Sequence, residues 1–337
     1  MTQKKTCSLI VSKSLFFFCL FMFTLILIAG LRTPGLDNDS ITYYSEVLNI
    51  YNGIYNIKEP VFLLFSYASE YLFNKNPEVI FLFYALLSIT IKAYAIKNHS
   101  DNIYLSFIVY AGMFYILHEM TQIRVGLAAA LYLLAIPDLV KSNKKSYILK
   151  IALAMLCHFS AVILIPLMLF SPRKINKAFV FLCPFAALCF VLLIGDVNSL
   201  LIEVFKLLPE PLATKGITYT LGAQDFGRFD NVNIFSKFTL SAFSFFLIYI
   251  FCTYKKDELE AKDIIFLKLF SFMLTVFYLC SSVPVLASRS FELYAVSFIF
   301  SLPRIAAFFK PKFLAHLILS SWVFLYFYLV NLKLIGL

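Results

Sequence analysis

The sequence predicts an all-α, polytopic membrane helix bundle with about 9–11 transmembrane helices. Hydrophobic residues make up 61% of the 337 residues and charged residues only 14%, with a mean hydropathy of +0.85. A soluble domain is about 45–50% apolar and about 25% charged, so a water-soluble core could not hide this many apolar side chains. The apolar residues also come in long runs without period-2 alternation, which favours helices over a barrel.

Eleven apolar runs follow one another along the chain, separated mostly by short polar connectors. A chain segment in lipid must close its own backbone hydrogen bonds, so each run is predicted to be helical. The first run follows Lys4, Lys5 and Lys13 and has no small-x-small cleavage site after it, so we expect a retained signal anchor. The chain, 1–337, is therefore predicted to be a single integral membrane domain. The runs are 14–31, 60–73, 78–96, 103–117, 124–140, 147–170, 178–195, 234–254, 264–283, 290–309 and 313–334.

The orientation of the bundle follows from its basic connectors, because Lys and Arg in short loops favour the cytoplasm. If run 60–73 is too short to cross and run 147–170 folds back near His158, every basic connector and the N-terminus are cytoplasmic. If both runs cross, connector 141–145 lies outside. We favour the first arrangement because 14 residues are marginal for a ~30 Å hydrocarbon core, although 24 residues are enough to cross. The basic connectors are 141–145, 173–177, 255–262 and 310–312.

Both arrangements leave three connectors outside the cytoplasm: a first periplasmic loop (32–59), a large periplasmic loop (196–233) and the short segment 284–289. Segment 200–208 of the large loop has an apolar face and suits a helix lying in the membrane interface. The net charge of +10 is explained by insertion signals, since no basic face or nucleic-acid-binding motif accompanies it. The seven cysteines form no CxxC pair, so neither a disulfide framework nor a metal site is predicted.

Charged residues beside apolar runs are costly in a membrane and are therefore candidates for function. Asp37 and Asp39 follow the first run, where a carboxylate could accept a proton from a sugar hydroxyl or hold a metal in Asp-x-Asp fashion. Glu59 precedes Pro60 at the start of a helix, a position that the helix dipole alone would also explain. His158 interrupts run 147–170, where a lone histidine is usually a hydrogen-bonded packing residue.

Arginine is the cation best suited to phosphate oxygens, because its guanidinium presents a rigid fork and keeps its charge. Arg124 begins an apolar helix two residues after Gln122, and pairing with Glu119 is the alternative to a functional role. Arg289 and Arg228 are the other cations predicted to lie outside. Together, these residues suit a substrate with an anionic leaving group and an attacking hydroxyl.

Four short motifs, in this order and spacing, resemble the EpsG family of Wzy-like polymerases of bacterial exopolysaccharides and O-antigens. The resemblance spans most of residues 30–300. Arg289 and Tyr294 resemble that family's later arginine-containing segment more weakly. Region 196–233 departs from it. The four motifs are Asp39-x-x-x-Tyr43, Glu59-Pro60-x-Phe62, Ile123-Arg124-x-Gly126-Leu127-Ala128 and His158-x-Ser160-Ala161.

The resemblance implies a GT-C-like glycosyltransferase of the bacterial inner membrane that polymerises undecaprenyl-diphosphate-linked repeats at the periplasmic face. Donor and acceptor glycans would both be lipid-linked, with a chain-length regulator and a flippase as further partners and no nucleic acid. The expected diphosphate ligands are Arg124, Arg289 and Arg228, with Tyr43 and Gln122 beside them. The expected general base is Asp39, followed by Asp37, Glu59 and His158. No metal and no cofactor are expected, because fixed arginines can neutralise the leaving group.

Two other functions are compatible with the sequence. An O-antigen ligase or another lipid-linked glycosyltransferase would use the same donor and differ only in its acceptor. A flippase or other transporter would commonly show two related halves with broken helices at matched positions, and no such internal symmetry is evident.

Overall fold

A computed structural model describes residues 13–37, 39–194, 198–207, 210–225, 232–254, 256 and 258–335, and these residues form helices and connectors without a β-strand. Two helices contain or lead into other geometries: α5 continues as a π-helix over Tyr110–Thr121, and α15 continues as a π-helix and a short 3₁₀ turn to Ile335. A 3₁₀ helix, Phe159–Leu169, follows α7. The α-helices are α1 (Lys13–Gly30), α2 (Ser40–Tyr51), α3 (Pro60–Leu72), α4 (Val79–His99), α5 (Ile103–Val109), α6 (Ile123–Val140), α7 (Lys144–Cys157), α8 (Lys177–Ile194), α9 (Asn198–Lys206), α10 (Glu210–Asp225), α11 (Lys237–Tyr254), α12 (Ala261–Leu279), α13 (Pro284–Ala295), α14 (Phe298–Ala306) and α15 (Lys312–Tyr326).

The predicted fold class, an all-α polytopic membrane protein, is confirmed. Six helical segments are long and apolar enough to cross a membrane, and the pair α13–α14, bent by 56°, would make a seventh. Helices α1 and α12 have comparable lengths of 18 and 19 residues and pack lengthwise against these spans.

The four basic connectors meet at one end of the bundle, which we call the basic end. Lys177 donates to the carbonyl oxygens of Thr253 and Tyr254, the last two residues of α11, and to that of Lys256 just beyond the helix. Lys268, in α12, likewise donates to the carbonyls of Ser171 and Lys174, at the start of the basic connector that precedes α8. These contacts bring the ends of distant helices together with their positive charges on one side.

Helices α2 and α3 lie at the opposite end of the bundle and do not cross it. Gly30, the last residue of α1, packs against Leu82 near the start of α4, so the two helices are antiparallel and meet at that end. The chain between α1 and α4, which contains α2 and α3, therefore begins and ends at this end of the bundle. The 13-residue helix α3 therefore lies outside the set of crossing helices, as the first arrangement requires.

The chain reverses at His158, so α7 and the following 3₁₀ helix form a hairpin rather than one span. The hydroxyl of Tyr147, near the start of α7, donates to the carbonyl of Leu164 at 2.7 Å. In a continuous α-helix, 17 residues would separate these positions by about 25 Å. Ser142 and Arg173, on either side of the hairpin, line one pocket at the basic end. His158 is extended (φ −157°, ψ 124°) and forms the tip.

Three sequence-based interpretations are corrected by the structure. Segment 284–289 is the first part of α13 rather than a connector, because Pro284 occupies the first helical turn, where its missing N–H has no cost. Run 290–309 is not one straight helix, since α13 and α14 meet at a bend. Glu119 pairs with Lys92 at 2.5 Å, with both side chains buried, and not with Arg124.

Candidate active site

Arg124 is positioned by a close contact between two helices at the end opposite the basic end. The π-helical part of α5 ends at Thr121, and α6 begins two residues later with Ile123. A Cβ on Gly126 would lie 2.0 Å from the carbonyl oxygen of His118, a separation that no side chain tolerates. Only glycine lets the two backbones approach this closely, and the contact fixes the first turn of α6, which carries Arg124.

Arg124 forms an ion pair with Glu59 and lies over aromatic rings. Its Nη1 is 2.9 Å from Glu59 Oε2, and the guanidinium carbon lies 5.4 Å from the Tyr43 ring centre and 5.8 Å from that of Phe62. Contacts of this length are attractive, because a ring face is electron-rich. Residues from two other motifs thus hold this guanidinium in place.

Glu59 joins Arg124 to the tip of the hairpin. His158 Nδ1 lies 3.2 Å from Glu59 Oε1, so the carboxylate accepts one hydrogen bond from each partner. Burial raises the pKa of Glu59, but the hydrogen bond with His158 and the charge of Arg124 outweigh it, so the pKa lies below its ordinary value. Glu59 is therefore ionised, and both of its oxygens are in use.

Asp37 is also engaged within the protein. Arg32 donates to its Oδ2 at 2.9 Å, and both side chains are almost completely buried. The other carboxylate oxygen accepts from the backbone N–H groups of Asp39 and Ser40 and so caps the start of α2. This carboxylate shapes the turn that leads into α2.

Asp39 differs from Asp37 and Glu59, since no described residue hydrogen-bonds its carboxylate. It is half-buried at the start of α2. Burial raises its pKa, the charges of Arg289 and Arg124 lower it, and that of Asp37 raises it, with burial the dominant cause. Asp39 therefore lies within the field of two arginines from distant parts of the chain.

Arg289 is exposed on α13, and no carboxylate of the described residues lies within ion-pair distance of it. It lines a cavity of about 800 Å³ together with Gln122 and Glu292. Gln122 Nε2 donates to Glu292 Oε2 at 3.2 Å. The arginine is thus free to take an anionic ligand at the mouth of this cavity.

The structure brings most of the sequence-predicted residues to one region. Arg228 lies outside the described residues. Glu292 was missed by the sequence reasoning, although it stands one helical turn after Arg289, because segment 284–289 was interpreted as a connector. Among the described residues, no cluster of three or more His, Cys, Asp or Glu side chains could hold a metal ion. The residues brought together are Asp39, Tyr43, Glu59, Gln122, Arg124, His158 and Arg289.

This arrangement has a defined chemical capacity. Two positive charges, one of them held in place by Glu59, can neutralise an anion that grows in a transition state, and an unpartnered carboxylate near them can accept a proton from a hydroxyl. The position of the region, at an end of a membrane bundle, suits substrates that are anchored in lipid.

Comparisons with known proteins give a family and one relative. The model of the EpsG family matches residues 15–336. The amylovoran biosynthesis protein AmsC of Erwinia amylovora is 28% identical over 177 residues, which are 47% of this chain and 46% of that protein. The match thus spans about half the length of that relative. No solved structure matches.

Proposed function

This chain belongs to the EpsG family, and from that premise we propose that it is a glycosyltransferase that polymerises lipid-linked oligosaccharide repeats in a bacterial inner membrane. The name of its relative AmsC, a protein of amylovoran biosynthesis, supports a role in exopolysaccharide synthesis. The proposed donor is a glycan on undecaprenyl diphosphate. The proposed acceptor is the non-reducing end of another lipid-linked repeat.

The proposed orientation puts the basic end in the cytoplasm, as the positive-inside rule favours. The N-terminus would then be cytoplasmic, and Asp39, Arg124 and Arg289 would face the periplasm. This agrees with a reaction between substrates that have already crossed the membrane on their lipid carriers. A flippase and a chain-length regulator would act before and beside this protein.

The observation that carries the proposal is the unpartnered carboxylate of Asp39 in the field of Arg124 and Arg289. Every other acid proposed from the sequence, Asp37 and Glu59, is held by hydrogen bonds within the protein. A carboxylate with a raised pKa is a stronger base than an ordinary one. Asp39 is therefore the proposed general base.

The proposed reaction is a single displacement at the anomeric carbon of the donor. Asp39 takes the proton of the acceptor hydroxyl as its oxygen bonds to that carbon. The bond between the carbon and the diphosphate oxygen breaks, and the diphosphate leaves with the electron pair. Arg289 and Arg124 neutralise the charge that grows on this leaving group.

Glu59 and His158 have positioning roles in this scheme. Glu59 forms an ion pair with Arg124 and is itself bound by His158 at the hairpin tip. The guanidinium of Arg124 therefore has little freedom to turn away. Pre-organised cations stabilise a transition state better than mobile ones because no reorganisation is needed during reaction. Loss of Glu59 should therefore act through Arg124.

The test is glycan banding in a deletion strain that carries plasmid copies of the gene. The Asp39→Asn variant should lose the ladder of long glycans and keep the band with a single repeat. The Asp138→Asn variant is the matched control, because Asp138 pairs with Lys150 at the basic end, far from the site. It should keep the ladder.

Three results would contradict the proposal. Loss of the single-repeat band as well would indicate a flippase, because no repeat would then reach the outside. Long glycans that form but remain on undecaprenyl diphosphate would indicate a ligase. A normal ladder in Asp39→Asn, at a normal amount of protein, would remove Asp39 from the mechanism.

A further inference from the structure

The cavity beside Arg289 is lined by aromatic, aliphatic and polar side chains, and the polar ones are the largest group. It lies between the π-helical part of α5, the start of α11, α13 and the end of α15, at the end of the bundle that carries the candidate active site. Its volume of about 800 Å³ is in the range of small-molecule sites. Aromatic and polar residues of the wall include Phe238, Phe291, Tyr326, Ser236, Thr239 and Glu292.

This wall does not suit the lipid or diphosphate parts of the substrate. A polyprenyl chain offers no hydrogen bonds, so hydroxyl and amide groups along its path would lose water without compensation. A diphosphate carries only acceptors, whereas the charges at this wall are one arginine and one carboxylate, Arg289 and Glu292. A ligand with hydroxyl donors and an apolar ring face matches all of these groups.

Two buried amides of the wall have an oxygen without a partner. The NH₂ group of Gln122 donates a hydrogen bond to Glu292 at 3.2 Å, and that of Asn331 donates one to the carbonyl of Gly112 at 2.7 Å. Because carboxylate and carbonyl oxygens only accept, these contacts fix which end of each amide is the oxygen. Neither oxygen finds a donor among the described residues, and both are shielded from solvent. Each oxygen has almost no accessible surface, so a ligand hydroxyl would supply the missing donor once the amide turned toward the cavity.

We propose that this cavity is a sugar-binding subsite that holds the terminal sugars of the acceptor, with Gln122 and Glu292 as specificity-determining residues. This inference rests on the proposed polymerase function. Arg289 lines the cavity, and its charge also acts on Asp39, so the cavity lies on the Arg289 side of the proposed base.

The acceptor fits this cavity better than the donor because the two glycans differ in length. The donor glycan grows by a whole repeat with each transfer and must extend freely into water. The acceptor is a single repeat, and its non-reducing end has a fixed size, so a cavity of limited volume can select it. The choice of hydroxyl, and with it the linkage, would follow from the hydrogen bonds of Gln122 and Glu292.

Trp322, the sole tryptophan, provides an internal probe of this cavity. Its ring centre is 5.9 Å from that of Tyr326, which lines the wall. The purified protein in nanodiscs is titrated with the lipid-free repeat oligosaccharide of its own host, and binding is followed by tryptophan fluorescence and by calorimetry. Maltotriose serves as an unrelated sugar, and inorganic pyrophosphate as a probe of the arginines.

The host repeat should bind with saturation, and maltotriose should not. The substitutions Gln122→Met and Glu292→Gln should each raise the dissociation constant of the repeat about tenfold, which corresponds to one lost hydrogen bond to a buried group, without weakening the binding of pyrophosphate. Ser271→Ala is the matched control, since it removes a buried hydrogen bond to Val180 away from the cavity. It should bind the repeat normally. Equal thermal unfolding temperatures exclude misfolding.

Failure of this inference differs from failure of the proposed function. If calorimetry shows no binding of the repeat, or if both variants bind it as the wild type does, the sugar subsite is wrong. In that case Asp39→Asn would still abolish the glycan ladder. If the wild-type gene restores no ladder to the deletion strain, the polymerase function itself is wrong.

Discussion

The effect of Gly126→Ala on the position of α6 can be worked out from the contact between the backbones of Gly126 and His118. The added Cβ would lie 2.0 Å from the carbonyl oxygen of His118, whereas an ordinary contact begins at 3.4 Å. The difference, about 1.4 Å, must be created by moving α6 away from the π-helical part of α5. No flexible side chain can absorb it, since the atom that is met belongs to the backbone.

The displacement should reach Arg124, which lies two residues earlier on the same helical turn. A misplacement of about 1 Å in a catalytic group can cost about 10²-fold in rate. Overpacking of this kind also destabilises a fold by roughly 1–3 kcal/mol. We therefore expect Gly126→Ala to lose polymerisation almost completely while the protein remains in the membrane.

The assay compares glycan ladders in a deletion strain at matched amounts of membrane protein. Ala130→Gly is the control, because it weakens the same helix by about 1 kcal/mol through backbone entropy without a clash. It should keep most of the ladder. A normal ladder for Gly126→Ala, or an equal loss in both variants, would refute the link between this contact and Arg124.

Three other perturbations give separate results. Lys92→Met leaves the buried charge of Glu119 without a partner and should lower the free energy of unfolding by about 3–5 kcal/mol, measured by thermal unfolding. Adding Glu119→Leu should recover part of that loss. A Lys92→Met variant as stable as the wild type would refute this. Glu59 has its pKa below the 4.5 of an unfolded glutamate, so its contribution to stability is complete above pH 4.5 and is lost as the pH falls through the folded pKa. Glu59→Gln should therefore flatten the loss of unfolding temperature in acid, and an unchanged profile would count against the pairing. Polymerisation by purified protein should survive a chelator such as EDTA; a loss that Mg²⁺ restores would show that a metal is required.

The fold was largely predictable because lipid imposes one strong constraint on sequence. Backbone groups in a bilayer must bond within their own segment, so long apolar runs predict helices and basic connectors predict their ends. The hairpin at His158 was less certain, since a run of 24 apolar residues also suits a full span. What decides it is tertiary: Tyr147 and Tyr294 donate to the carbonyls of Leu164 and Ile163 and hold the returning arm.

The site was predictable residue by residue but not in its internal pairing. Arginine and carboxylates next to apolar runs are costly, so their presence predicted Arg124, Asp39 and Glu59 as candidates. Which acid pairs with which cation depends on helices far apart in sequence. Glu119, five residues before Arg124, is taken by Lys92, and Glu59 from another helix takes its place.

The most direct test of the central claim uses purified protein and a synthetic undecaprenyl-diphosphate-linked repeat. The wild type should join repeats and release undecaprenyl diphosphate in equal amounts. Asp39→Asn should lower that rate by about 10²–10⁴-fold, the usual contribution of a positioned base. Asp39→Asn protein that joins repeats at the wild-type rate would contradict the account.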